Sequence, residues 1–108
     1  MIRQIRVQEL SERLAANEPV YLLDVRQPWE NEIAALPNST LIPLDQLLTR
    51  TDEVQPPENA VVVVYCHHGI RSQSGAAILE RAGFENVVSL AGGIDAWSLH
   101  VDPKVPRY

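Results

Sequence analysis

The residues best suited to chemistry stand together in Cys66-His67-His68-Gly69-Ile70-Arg71-Ser72. Cys66 is the only cysteine among 108 residues, so the chain has no internal disulfide framework and no cysteine cluster for a metal. Cysteine attacks as a thiolate, which positive charge or amide dipoles nearby favour. The segment offers both. Arg71 carries a fixed charge on a planar donor fork. His67 and His68 donate hydrogen bonds, or add charge when protonated. Gly69 lets the chain curl tightly around a central sulfur. Ser72 opens a helical pattern, and the free N–H groups at a helix start suit an anion. The His pair is also half of a metal site, but His100 is the only other histidine and no cysteine remains, so no metal is expected.

Such a loop has to be held by the elements around it, and these alternate. Ile2 to Val7 reads as a short strand. Val7, Leu10 and Leu14 recur at helical spacing, and Asn17-Glu18-Pro19 ends that helix. Val20 to Val25 is a near-continuous apolar run, as in a strand buried on both faces. A short helix is expected over Pro28 to Ile33, with proline in its first turn. Pro37-Asn38-Ser39 is a turn, Leu41-Ile42 a short strand and Asp45 to Leu48 another helix. Val61 to Tyr65 is the clearest strand. Ser72 to Arg81 is helical and stops at Gly83, a natural left-handed cap. Val87 to Leu90 is the last strand, and Gly92-Gly93 turns the chain into a final helix carrying Ile94 and Trp97. Asp102 to Tyr108 reads as a tail.

This order predicts an α/β fold: a mostly parallel central sheet of about five strands with helices on both faces. The chain is one domain, residues 1–108, with its core at about 5–100. Functional crevices in such sheets lie beyond the carboxyl ends of the strands. Asp24-Val25-Arg26 and the Cys66 loop both begin there. Asp24 and Arg26 are supporting residues, expected to form an ion pair or hydrogen-bond network that holds the loops. Trp29 and Trp97 are expected to be packing residues.

Fourteen acidic against nine basic residues give a net charge of −5, which argues against nucleic acid and against an anionic membrane as partners. The N-terminus lacks a long apolar run, and no stretch approaches the ~20 apolar residues that span a bilayer. Cytoplasmic residence is the expectation.

The Cys66 loop resembles the active-site loop of the rhodanese superfamily, a Cys-x-x-Gly-x-Arg-Ser pattern. Leu22 to Glu30 resembles the family's Asp-Val-Arg segment, and Leu41-Ile42-Pro43-Leu44 its Asn-Ile-Pro-Leu segment. Gly83 to Val87 and Leu90 to Trp97 resemble its terminal signatures. The likeness runs from about Ile5 to Trp97. One departure stands out: Ala34 to Ser39 lacks the Gly-His found there in many members.

The resemblance implies a single-domain rhodanese-like sulfurtransferase with Cys66 as catalytic nucleophile. His67, His68, Gly69, Ile70, Arg71 and Ser72 are then the substrate-binding residues. The expected partners are thiosulfate or another sulfane-sulfur donor, and a small thiol, cyanide or a protein thiol as acceptor. No cofactor is implied. Arg71 is expected to orient an anionic donor; its bland role is to brace the loop against a carboxylate such as Asp24. A sulfur carrier or regulatory interaction module is the alternative. A phosphatase of this fold is disfavoured, because its loop has one residue more before the arginine and Ser72 stands at that position.

Overall fold

The structure, a computed structural model, describes residues 2–108. Five parallel strands lie in the order β1-β5-β4-β2-β3. They are β1 (Gln4–Ile5), β2 (Val20–Asp24), β3 (Thr40–Leu41), β4 (Val61–Tyr65) and β5 (Val87–Leu90). The helices are α1 (Val7–Ala15), α2 (Pro28–Ile33), α3 (Leu44–Leu47), α4 (Arg71–Arg81) and α5 (Gly93–His100). The α/β class and the parallel sheet are those expected.

Strand β4 shows why its sequence is so uniformly apolar. Its side chains alternate between two cores, as the two-residue period of a strand requires. Val61, Val63 and Tyr65 join Leu10, Leu90, Ile94 and Trp97 on one face. Val62, Val64 and Cys66 join Leu23, Val25, Leu47 and Leu79 on the other. Both faces are covered, so the strand is apolar throughout except for the Tyr65 hydroxyl, which Leu36 N and Ser39 Oγ meet at 3.2 and 2.8 Å. Cys66 continues the alternation into the core beside α3 and α4.

β3, α3 and the start of α4 each lie one residue earlier than expected, and three departures are larger. The first strand covers only Gln4–Ile5, because Arg6 caps α1 and Val7 already belongs to the helix. A short 3-10 turn, Thr51–Glu53, follows α3, and the Arg50 guanidinium grips the Glu53 carboxylate at 2.7 and 2.8 Å there. The third correction is the supposed tail. Val101, Val105 and Tyr108 pack against the core that contains Trp97. Arg107 Nε donates to Asp95 at 2.9 Å, and Val105 N donates to Asp102 O at 3.1 Å. Pro103 and Pro106 cut the freedom of a segment fixed at these points.

Trp97 is buried as expected, at 7% exposure. Trp29 is not: 58% of it is exposed. It follows Pro28 in the first turn of α2, on the side facing solvent, and it meets Tyr108 edge to face at 6.1 Å. Among the described residues no helix is long and apolar enough to cross a membrane.

Candidate active site

Strands β2 and β4 are neighbours with Asp24 paired in register to Tyr65. The segments that leave their carboxyl ends therefore start side by side. Val25 N donates to Tyr65 O at 3.1 Å, so the two chains stay together for one more residue before they part.

The Cys66 loop turns over its own sulfur. Gly69 N donates to Sγ at 3.1 Å and Ser72 N at 3.3 Å. The thiol faces Ser72 Oγ at 3.5 Å, and that hydroxyl bonds Ser89 Oγ at 2.7 Å. Two amides and a hydroxyl thus converge on one atom, and amides so placed stabilise negative charge. Cys66 is only 1% exposed.

The loop's carbonyls are held away from the sulfur by α5. Ile94 N donates to Cys66 O at 2.9 Å, and Asp95 N to His67 O at 3.1 Å. These two amides belong to the first turn of α5, where no intrahelical acceptor exists. Gly93 makes the approach feasible. Its φ is +62°, and a Cβ there would overlap the carbonyl oxygens of Cys66 and His67. Gly69, at φ +95°, supplies the curl around the sulfur; a Cβ on it would lie 2.9 Å from Gly92 N.

Arg71 opens α4, and its Nη1 and Nη2 donate to Glu30 Oε1 and Oε2 at 2.7 and 2.9 Å. The brace exists, but its carboxylate is Glu30 and not Asp24. Asp24 is committed elsewhere. It pairs with Arg26 through Nε at 2.8 Å and Nη2 at 2.6 Å, both side chains fully buried. Arg26 Nη2 also donates to Ala34 O at 2.7 Å, which ties down the stretch that departs from the family pattern. Asp24 and Arg26 thus form a buried ion pair with each other.

The charges of the site follow from these contacts. Glu30 is lowered to about 2, first by the Arg71 hydrogen bonds, which outweigh burial. The amide of Gln27 and the hydroxyl of Tyr108 add to this. Arg71 is raised by the same pair. Burial opposes the charge on Arg26, yet its bonds to Asp24 and Tyr108 raise it overall. His67 is lowered by burial and by its neighbour His68, which favours a neutral ring.

His67 stacks on His68 at 3.9 Å and on Tyr108 at 3.9 Å, and its Nε2 is buried without a partner. Ile70 is 76% exposed on the outer side of the loop. His67, His68 and Asp95 each offer a ligand atom, all within 4.8 Å of one another. Asp95 Oδ1 holds Arg107 Nε at 2.9 Å, and its Oδ2 lies 3.8 Å from His68 Nε2.

The loop of six residues after Cys66 thus closes around the sulfur, while Asp24 and Arg26 stand behind it. Sequence reasoning missed Glu30, Ser89, Asp95 and Tyr108. Of these only Glu30 had a local signal, since it sits three residues after Gln27 and accepts from Gln27 N at 3.0 Å, half of a capping box. Two surface clefts, of about 380 and 440 Å³, lie by Phe84 and by Trp97, and Cys66 lines neither.

Comparison with known proteins agrees with this architecture. The chain is 37% identical to a sulfurtransferase of Allochromatium vinosum, over 97% of this chain and 96% of that protein. It is 38% identical to the rhodanese-like/PpiC domain-containing protein 12 of Arabidopsis thaliana, covering 99% of this chain but only 38% of that longer protein. The crystal structure of a rhodanese-related protein from Thermoplasma volcanium superposes with a TM-score of 0.82 at 30% identity, covering 98% of this chain and 99% of that one. The family model of the Rhodanese-like domain matches residues 6–100, and the chain belongs to that family.

Proposed function

We propose that the protein is a sulfurtransferase that carries sulfane sulfur on Cys66. The observation that supports it most is the convergence of Gly69 N and Ser72 N on Sγ, 3.1 and 3.3 Å away, in a loop beyond the central strand. The Cys66 thiolate attacks the outer sulfur of thiosulfate. The S–S bond of the donor breaks, and its electron pair leaves with sulfite. Cys66 then holds a persulfide, whose terminal sulfur carries the charge. The loop amides that favoured the thiolate stabilise this anion too. An acceptor, cyanide or a thiol, next attacks the terminal sulfur, and the thiolate is restored. Each half-reaction conserves charge and sulfur, so the kinetics are ping-pong. Arg71 opens α4 at the end of the Cys66 loop and orients the anionic donor with the hydrogen-bond positions that Glu30 leaves free.

The chemistry needs no metal and no organic cofactor. The relatives named above are consistent with sulfur donors and thiol acceptors. The test is sulfur transfer from thiosulfate to cyanide by the parent and by Cys66→Ser. Serine keeps the shape but forms no persulfide, so turnover should vanish while the fold stays. Retained turnover in pure Cys66→Ser would falsify the mechanism.

The burial of Cys66 favours a second reading, a carrier that holds its sulfur for a specific acceptor. Rapid-quench cyanide trapping separates the two: a carrier is charged once and turns over slowly.

A further inference from the structure

Two ion pairs flank the catalytic loop, Asp24–Arg26 behind it and Glu30–Arg71 beside it. One hydroxyl links their side chains. Tyr108 Oη donates to Glu30 Oε2 at 2.7 Å and accepts from Arg26 Nη1 at 3.0 Å. The ring of Tyr108 lies flat on His67, 3.9 Å away with 8° between the planes. The residue is anchored, since the segment carrying it packs on the core and is pinned through Arg107. We propose that Tyr108 is a positioning residue for anion binding at the Cys66 loop, acting through Glu30 on Arg71. The proposal rests on the sulfur-transfer reading for its substrate, an anionic sulfane-sulfur donor, and goes beyond it in naming what aims Arg71.

Hydrogen-bond supply gives the hydroxyl this role. Glu30 is 3% exposed and accepts from Arg71 twice, from Gln27 N and from Tyr108. Water has little access to replace a missing donor. Without the Tyr108 hydroxyl, Glu30 Oε2 is one donor short, and Arg26 Nη1 keeps only its longer bond to Glu30 O at 3.4 Å. The carboxylate then turns to recover a bond, and the two-point grip on Arg71 loses its register. Bidentate pairs are directional, so a small rotation of Glu30 re-aims the guanidinium. The stack on His67 fixes the ring from the other side, which keeps the hydroxyl over Glu30.

The experiment uses Tyr108→Phe, which keeps the stack and removes only the hydroxyl. Sulfate, an unreactive oxyanion, is the probe, and the readout is protection of Cys66 from iodoacetamide. The half-protecting sulfate concentration should rise about three- to tenfold, the size of an effect relayed through one neighbour. The KM for thiosulfate should rise by the same factor while kcat changes by less than about twofold. In a Glu30→Gln background the Tyr108→Phe change should have no further effect, because the relay is already cut. Equal sulfate protection in parent and Tyr108→Phe would overturn the proposal, as would absence of protection in the parent. A uniform loss of kcat for all donors with a lowered melting temperature would also overturn it, by making the tyrosine a brace only. If the parent never forms a persulfide, the sulfur-transfer reading fails, and the sulfate arm alone still decides on Tyr108.

Discussion

Arg71 and Glu30 meet end to end, guanidinium against carboxylate at 2.7 and 2.9 Å, with Glu30 almost wholly buried and Arg71 partly in solvent. The pair joins the start of α4 to α2, and so it clamps the loop that carries Cys66 to the neighbouring crossover. Arg71 therefore serves two masters: a buried carboxylate and, in the proposed reaction, an anionic donor.

Arg71→Ala should raise the KM for thiosulfate about tenfold to a hundredfold, the usual worth of a charge-assisted hydrogen bond. Arg71→Lys should recover only part, because a point charge cannot grip both Glu30 oxygens. An uncharged sulfane donor should be affected less. Kinetics with both donors, beside thermal melting, check this; equal losses for both donors would remove Arg71 from donor binding.

The Glu30 carboxyl, held at about 2 against an ordinary 4.5, makes stability depend on pH. Its folded value lies below its unfolded one. The stability it adds is therefore complete above about pH 4.5 and is lost as pH falls from there towards 2. The melting-temperature gap between the parent and Glu30→Gln should be constant above about pH 5 and should narrow below it. A gap that stays constant down to about pH 3 would contradict the assignment.

Gly93→Ala should damage both stability and sulfur transfer. The new Cβ meets the carbonyls of Cys66 and His67, and the backbone sits at φ +62°. Strain of this kind costs about 1–3 kcal/mol. Gly83→Ala is the control: its φ is +103°, yet nothing lies within 4 Å of the added Cβ. It should lower the melting temperature and leave the KM for thiosulfate alone. Equal KM effects in both variants would mean that α5 does not shape the loop.

Asp24→Ala should be far more costly than a surface change. It strands the fully buried Arg26, and breaking a buried pair on one side costs about 3–5 kcal/mol. Urea unfolding measures this directly. Asp24→Asn retains an acceptor for Arg26 and should be milder; the reverse order would contradict the ion-pair account.

What could be read from the chain alone was local. Val61 to Tyr65 announced a buried strand, and the run from Cys66 to Ser72 announced a loop curled tightly on its own sulfur, because neighbours in sequence build both. Partners brought in from afar were not legible. Glu30 and Arg71 are 41 positions apart, and Glu30 and Tyr108 are 78 apart. No periodicity encodes such meetings; the parallel order of β2, β4 and β5 creates them. Trp29 misled for a related reason. A large aromatic reads as a packing residue, but Trp29 takes the outer side of the turn whose inner side buries Glu30, and it meets Tyr108 edge to face with 58% of its surface exposed.

The central claim is that Cys66 carries the transferred sulfur, and intact-protein mass spectrometry tests it most directly. After incubation with thiosulfate the parent should gain one sulfur, about 32 Da, located on Cys66 and removed by cyanide with formation of thiocyanate. Cys66→Ser should gain nothing. An unchanged parent mass after exposure to thiosulfate and to other sulfane donors, or an equal gain in Cys66→Ser, would contradict the account.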